Sequence, residues 1–220
     1  MKRNGKRTLF VGSVLLVAFV IWTMLIQHVD VNAVGVNGTD VGFATLNIWF
    51  YNLTGVHMAL YTITDWLGLV PIFVCMVFAG IGFCQLIRRR SLFKVDNDIL
   101  CLGLYYMIVI FCYLFFEMFP INYRPILIGG IMEASYPSST TLLVLCVMPT
   151  LAEQVERRGQ SQLFKRMIKV FVICFSAFMV LGRLVFGVHW VTDIVGSLLF
   201  SAGLFGMYKA VVLLGTKEDN

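Results

Sequence analysis

The 220-residue chain is 59% hydrophobic and only 13% charged, with a mean hydropathy of +0.86, far outside the range of soluble globular domains. That composition excludes a soluble enzyme, and it removes nucleic acid as the explanation of the net charge of +5. In a membrane protein, an excess of Lys and Arg is an orientation signal.

The first apolar block, 9–26, follows Met-Lys-Arg-Asn-Gly-Lys-Arg. It is too long for a signal-peptide core and no small-residue cleavage site follows, so a retained transmembrane helix is expected. A sizeable loop then runs over 27–65, with a turn at Asn37-Gly38-Thr39. Within it, Phe43, Leu46, Phe50 and Leu53 recur at helical spacing beside Trp49 and Tyr51, which predicts a helix in the headgroup plane. Such a helix would either shape a lipid entrance or anchor the bundle as part of an aromatic belt.

Five more apolar blocks follow at 66–87, 99–116, 138–152 (the shortest), 168–186 and 191–214. A bilayer core of ~30 Å needs about 20 apolar residues per helix, so the pattern predicts six spans. Unbroken blocks exclude a barrel, whose strands alternate polar and apolar residues over ~10 positions. The predicted fold class is all-α, a polytopic six-transmembrane-helix bundle, and a single domain over 1–220 with no repeat or linker to divide it.

Of the 17 basic residues, Lys2, Arg3, Lys6, Arg7, Arg88, Arg89, Arg90, Lys94, Arg157, Arg158, Lys165, Arg166, Lys169, Lys209 and Lys217 fall on one side of such a bundle. The positive-inside rule makes that side cytoplasmic, with both termini inside and a bacterial plasma membrane as the expected location. Only Arg124 and Arg183 remain for the other face. The six cysteines, Cys75, Cys84, Cys101, Cys112, Cys146 and Cys174, all lie in apolar blocks without ligand spacing and read as small core residues.

The chemistry is expected where the two outer arginines are. Arg124 lies in EMFPINYRP after the third span, and Arg183 near the outer end of the fifth. Between them SYPSSTT opens the fourth span, with Pro137 and Ser138 suited to a helix first turn whose free N–H groups attract anions. In GRLVFGVHWVTD, His189 and Asp193 are four apart. On one helix face, Asp193 would hold the imidazole through Nδ1 and leave Nε2 free as a nucleophile toward phosphorus. An HxxxD pair alone is more often a structural hydrogen bond; the neighbouring charges at a hydrocarbon boundary shift the reading toward function.

The pattern resembles that of the type 2 phosphatidic acid phosphatase superfamily, KxxxxxxRP, PSGH and SRxxxxxHxxxD. Arg124-Pro125, Pro137-Ser138, Arg183, His189 and Asp193 match in order, and the resemblance covers 117–193. It implies a covalent phosphohistidine on His189, oriented by Asp193. It also implies phosphoryl oxygens clamped by Arg124 and Arg183 and received by Ser138, Ser139 and Thr140, with no metal or other cofactor. The arginine fork suits such a clamp on physical grounds too. The implied substrate is a lipid phosphate or diphosphate.

Four positions depart from the family pattern, one of them Ser139 in place of the glycine of PSGH. Glu117 stands in place of the first-motif lysine, Thr140 in place of the histidine that serves the family as general acid, and Gly182 in place of a serine. Losing an acid penalises an alkoxide leaving group more than a phosphate, which tilts the expectation toward a diphosphate or toward phosphoryl transfer. Glu117, kept protonated by desolvation, is a candidate replacement acid, with Glu133, His28 and His57 as further candidates. The alternative for Glu117 is an arginine partner or a cap on the third span. Competing readings of the whole chain are an impaired or non-catalytic relative that only binds lipid phosphate, a lipid phosphotransferase, and a small transporter or scaffold. The last is weakened because no span carries an isolated charge at its middle.

Overall fold

The computed structural model describes residues 2–159 and 161–215; Lys217, counted above among the cytoplasmic cations, lies outside the described residues. Among the described residues, eight α-helices form one bundle: α1 (Lys2–His28), α2 (Ala44–Thr54), α3 (Met58–Leu67), α4 (Leu69–Arg89), α5 (Asn97–Met118), α6 (Ser139–Arg158), α7 (Gln162–Val185) and α8 (Val191–Gly215). Five segments are long and apolar enough to cross a membrane: α1, α3 with α4, α5, α7 and α8.

The sixth expected span, α6, is 20 residues long but carries Glu153, Gln154, Glu156, Arg157 and Arg158 at its inner end. It is the centre of the bundle, packing against α4, α5, α7 and α8. Leu142, Val144, Cys146, Val147, Met148 and Thr150 are all buried along it. A helix enclosed by protein on all sides does not need the hydropathy of one that faces lipid.

The longest interface joins α1 to α8. Glycine makes it close: a Cβ on Gly12 would lie 3.1 Å from the Met207 nitrogen and 3.2 Å from the Gly203 oxygen, so any larger residue would push the backbones apart.

One boundary needs correction. The second span does not start at 66: α3 begins at Met58, inside the supposed loop, and turns into α4 at Gly68. Thr62, Thr64 and Asp65 dilute the hydropathy there, yet Thr64 is fully buried with its hydroxyl donating to the Tyr61 carbonyl at 2.8 Å. The predicted helix near 43–53 does form as α2, but Leu46, Trp49 and Leu53 are exposed while Asn47 is buried. Asn47 turns inward to α8, where its Nδ2 donates to Thr192 Oγ1 at 3.0 Å and its Oδ1 accepts the Thr192 N–H at 3.4 Å. Of the cysteines, Cys146 is buried in the core whereas Cys84 and Cys174 are exposed on the periphery.

Candidate active site

One end of the bundle, expected from the sequence to be the outer one, gathers ionisable residues from four separate segments. Arg124 is delivered by a hairpin-like excursion between α5 and α6, with bridges at Tyr123–Ala134 and Ile128–Ile131 and a turn at Gly129 and Gly130, both at positive φ. The pairing holds the Arg124 N–H to the Glu133 carbonyl at 3.0 Å. The Arg124 Nε then lies 3.0 Å from Glu133 Oε2, and the residue is 7% exposed. This hairpin was not legible in EMFPINYRP.

Arg183, one turn from the outer end of α7, is 0% exposed. Its Nη2 donates to Asp65 Oδ1 at 3.0 Å, while Nε and Nη1 have no protein partner. Burying a guanidinium with donors unmatched costs several kcal/mol unless an anion completes it. Both arginines lie against one aromatic ring: the Tyr61 centroid is 4.8 Å from the Arg183 Cζ and 5.8 Å from that of Arg124. Tyr61, itself buried, thus holds two like charges side by side through the negative face of its ring.

His189 sits in the turn before α8. Gly187, at φ +71, makes that turn possible, since a Cβ there would be 2.1 Å from the Gly55 oxygen. The His189 Nε2 is 3.4 Å from Arg124 Nη1. A guanidinium can only donate, so Nε2 accepts and the ring proton belongs on Nδ1. Burial, and then the charges of Arg124 and Arg183, hold the imidazole well below its usual value of 6.5, as the neutral base.

Asp193 is where the sequence placed it, with a different principal contact. Its Oδ2 accepts the Trp190 N–H at 2.9 Å and its Oδ1 accepts Asn122 Nδ2 at 3.4 Å, so the carboxylate caps its own helix. His189 Nδ1 lies 3.6 Å from Oδ2, just beyond hydrogen-bond range. Trp190 fixes the turn further, its Nε1 donating to the Tyr123 carbonyl at 2.8 Å.

The second-motif residues divide. Ser138 is fully buried and structural: its Oγ donates to Thr141 Oγ1 at 3.1 Å and its carbonyl accepts from Ser197 Oγ at 3.1 Å. Ser139 lines a crevice with Glu117, Tyr136 and Pro137 on the α5 side. Thr140 lies on the opposite side, its Cγ2 3.5 Å from where a Cβ on Gly68 would stand. Glu117, on the last turn of α5, is within electrostatic reach of Arg124 and Glu133. His57 is exposed, with Nε2 on the Thr54 carbonyl at 2.9 Å, and His28 is exposed at the end of α1. Among the described residues no group of three His, Cys, Asp or Glu is placed to hold a metal ion.

Two further residues of the site, Tyr61 and Asp65, lie outside the motifs of the sequence. A signal for Asp65 existed: it is an acid at the outer end of an apolar segment, as Arg183 is a base there. Tyr61 had none, because its role comes from two residues more than 60 positions away.

Residues 104–214 match the PAP2 superfamily. The fold is similar to the crystal structure of a transmembrane PAP2-type phosphatidylglycerolphosphate phosphatase from Bacillus subtilis, with a TM-score of 0.64 over 93% of this chain and 96% of that one. Identity to that protein is 18%, so the likeness is one of fold. No curated protein matches the sequence.

Proposed function

The chain belongs to the PAP2 superfamily, and from that premise we propose that it is an integral membrane phosphatase hydrolysing a lipid phosphate or diphosphate at the extracytoplasmic rim of the bilayer. The observation that carries this reading is the meeting of Arg124 and Arg183 on one Tyr61 ring, with the Nε2 lone pair of His189 turned toward the same place. Two guanidiniums supply fork-like donors for the equatorial oxygens of a transferring phosphoryl group. A neutral imidazole beside them is the nucleophile: Nε2 attacks phosphorus, the bond to the leaving oxygen breaks, and a phosphohistidine forms on His189. Nδ1 keeps its proton throughout, and the nearby Asp193 carboxylate favours the positive charge the ring acquires.

Thr140 offers no proton near neutral pH, so a leaving group that is already a stable anion suits this site. That ranks a polyprenyl diphosphate above a lipid monoester such as phosphatidate or phosphatidylglycerolphosphate. Glu117, on the far side of Arg124, is the protein's own candidate for a proton donor should a monoester be the substrate.

Purified protein in detergent, given farnesyl diphosphate, phosphatidate or phosphatidylglycerolphosphate, is expected to release phosphate fastest from the diphosphate. His189→Ala is expected to lower that release by at least about 10³-fold. Faster cleavage of phosphatidate removes the diphosphate preference, and full activity of the His189→Ala protein removes the mechanism.

One specific feature favours a second reading, that of a lipid-phosphate-binding relative with little turnover. Glu117 and Thr140 replace two of the family's usual contributors, and the His189 to Asp193 separation is 3.6 Å. That protein would be stabilised by lipid phosphates yet release nothing. A phosphotransferase shares the phosphohistidine and differs in using an alcohol instead of water as acceptor.

A further inference from the structure

Removing the family's acid leaves a gap at the second half of the reaction as well as the first. The phosphohistidine must be hydrolysed, and the attacking water must lose a proton to some group at the mouth of the site. The structure narrows the choice. Asp193 is buried and engaged by Trp190 and Asn122. Glu133 is held by Arg124 as Asp65 is by Arg183, but its side chain is 38% exposed against 59% for Asp65. Glu117 faces the crevice on the α5 side, with Ser139. His57 is turned onto the Thr54 carbonyl.

Asp65 remains, and its position differs from the rest. It pairs with Nη2 of Arg183 at 3.0 Å, with a side chain 59% exposed against 0% for the arginine. The other donors of that guanidinium, Nε and Nη1, have no protein partner. A phosphoryl oxygen accepting from either one would share the guanidinium with the Asp65 carboxylate, which brings the two within about 4–6 Å of each other by the dimensions of the fork. One turn on, Gly68 packs toward Thr140, the position from which the family's histidine would project. α3 therefore delivers an exposed carboxylate to the side of the site that Thr140 leaves without a base.

Resting on the phosphohistidine reading above, we propose that Asp65 is a catalytic residue of the second half-reaction, the general base that deprotonates the water attacking phosphohistidine. The water oxygen bonds to phosphorus as one of its protons passes to Asp65. The P–Nε2 bond breaks with its electron pair returning to His189. Asp65 then gives the proton to the departing phosphate or to solvent, and the Nδ1–H tautomer is restored. A carboxylate needs no external proton source for this step, so the same chain can dispense with an acid for a diphosphate and still turn over.

The test is a rapid-quench experiment in detergent with farnesyl diphosphate carrying 32P in its terminal phosphate, stopped in alkali because the P–N bond is acid-labile. For Asp65→Asn, the first turnover is expected within about threefold of wild type, while the steady state falls about 10²-fold and label accumulates on the protein. In Asp65→Ala, added formate is expected to discharge the trapped label. If the first turnover and the steady state fall together without label, or if formate has no effect, Asp65 only holds Arg183 and the proposal fails. Wild-type turnover in Asp65→Asn overturns it as well. Thermal midpoints of both variants in detergent establish that the fold is kept. Failure of the underlying reading looks different: wild type never carries label and His189→Ala remains active.

Discussion

The two ends of the bundle use the same residue types in opposite ways. At the inner end, Arg89 and Arg158 bridge Asp96 and Asp98 across α4, α5 and α6, with every partner between 21% and 43% exposed. Arg157 and Lys209 both reach Glu153, and Lys169 reaches Glu156. These cations are partly exposed and paired with carboxylates, so they staple helix ends at little desolvation cost. At the outer end, Arg183 is fully buried with two donors unmatched, and Arg124 nearly so. A guanidinium in that state opposes folding unless an anion completes its hydrogen bonds. Charge at a membrane boundary therefore becomes informative once burial and pairing are known; sign and count alone mark both ends alike.

That contrast can be broken by substitutions at each end. The largest effect after loss of His189 itself is expected at Arg183. Arg183→Lys keeps the charge and loses the fork, so kcat/KM for phosphate release is expected to fall by about 10²–10³-fold. An effect under about tenfold would mean that Arg183 supplies only charge. Tyr61→Leu removes the shared ring, worth about 0.5–2 kcal/mol per cation–π contact. KM is expected to rise roughly tenfold with less change in kcat, since the arginines remain but are held less firmly.

How much of this was legible beforehand follows from what kind of information each feature carries. The spans are one-dimensional facts, and blocks of apolar residues marked the existence of all five segments, with starts that differ by up to eight residues. α3 escaped because Thr64 and Asp65 make its outer half look like a loop, although Thr64 satisfies its hydroxyl on its own helix. Arg124, Arg183, His189 and Asp193 could be singled out because their charge and spacing are written in the chain. The hairpin that carries Arg124 could not, since it rests on two isolated bridges and a Gly129-Gly130 turn without alternating residues. Nor could the Asp193 carboxylate's engagement by the Trp190 N–H, which competes with the expected imidazole contact.

A smaller effect follows from the neutral imidazole. His189 is held below its usual 6.5 by burial and by both arginines, so below that pH the unfolded chain binds a proton that the folded chain does not. Stability is then fully present above about 6.5 and is lost as pH falls toward the depressed value. Thermal midpoints between pH 7.5 and 5 are expected to drop more in wild type than in His189→Gln, and parallel curves would contradict a buried neutral His189. The smallest effect is expected at the inner end. Arg158→Ala removes two exposed ion pairs worth about 0.2–1 kcal/mol each, which lowers the thermal midpoint by a few degrees and leaves turnover unchanged. A loss of activity there would erase the distinction between the two ends.

The central claim is that the two arginines and His189 converge on one phosphoryl group. Its most direct measurement is alkaline quenching of the protein during turnover of a lipid diphosphate, followed by mass-spectrometric mapping of the phosphorylated residue. Phosphate on Nε2 of His189, absent from Arg183→Lys at the same substrate concentration and quench time, is the predicted result. Phosphate on another residue, or sustained turnover with His189 unmodified in every time point, would contradict it.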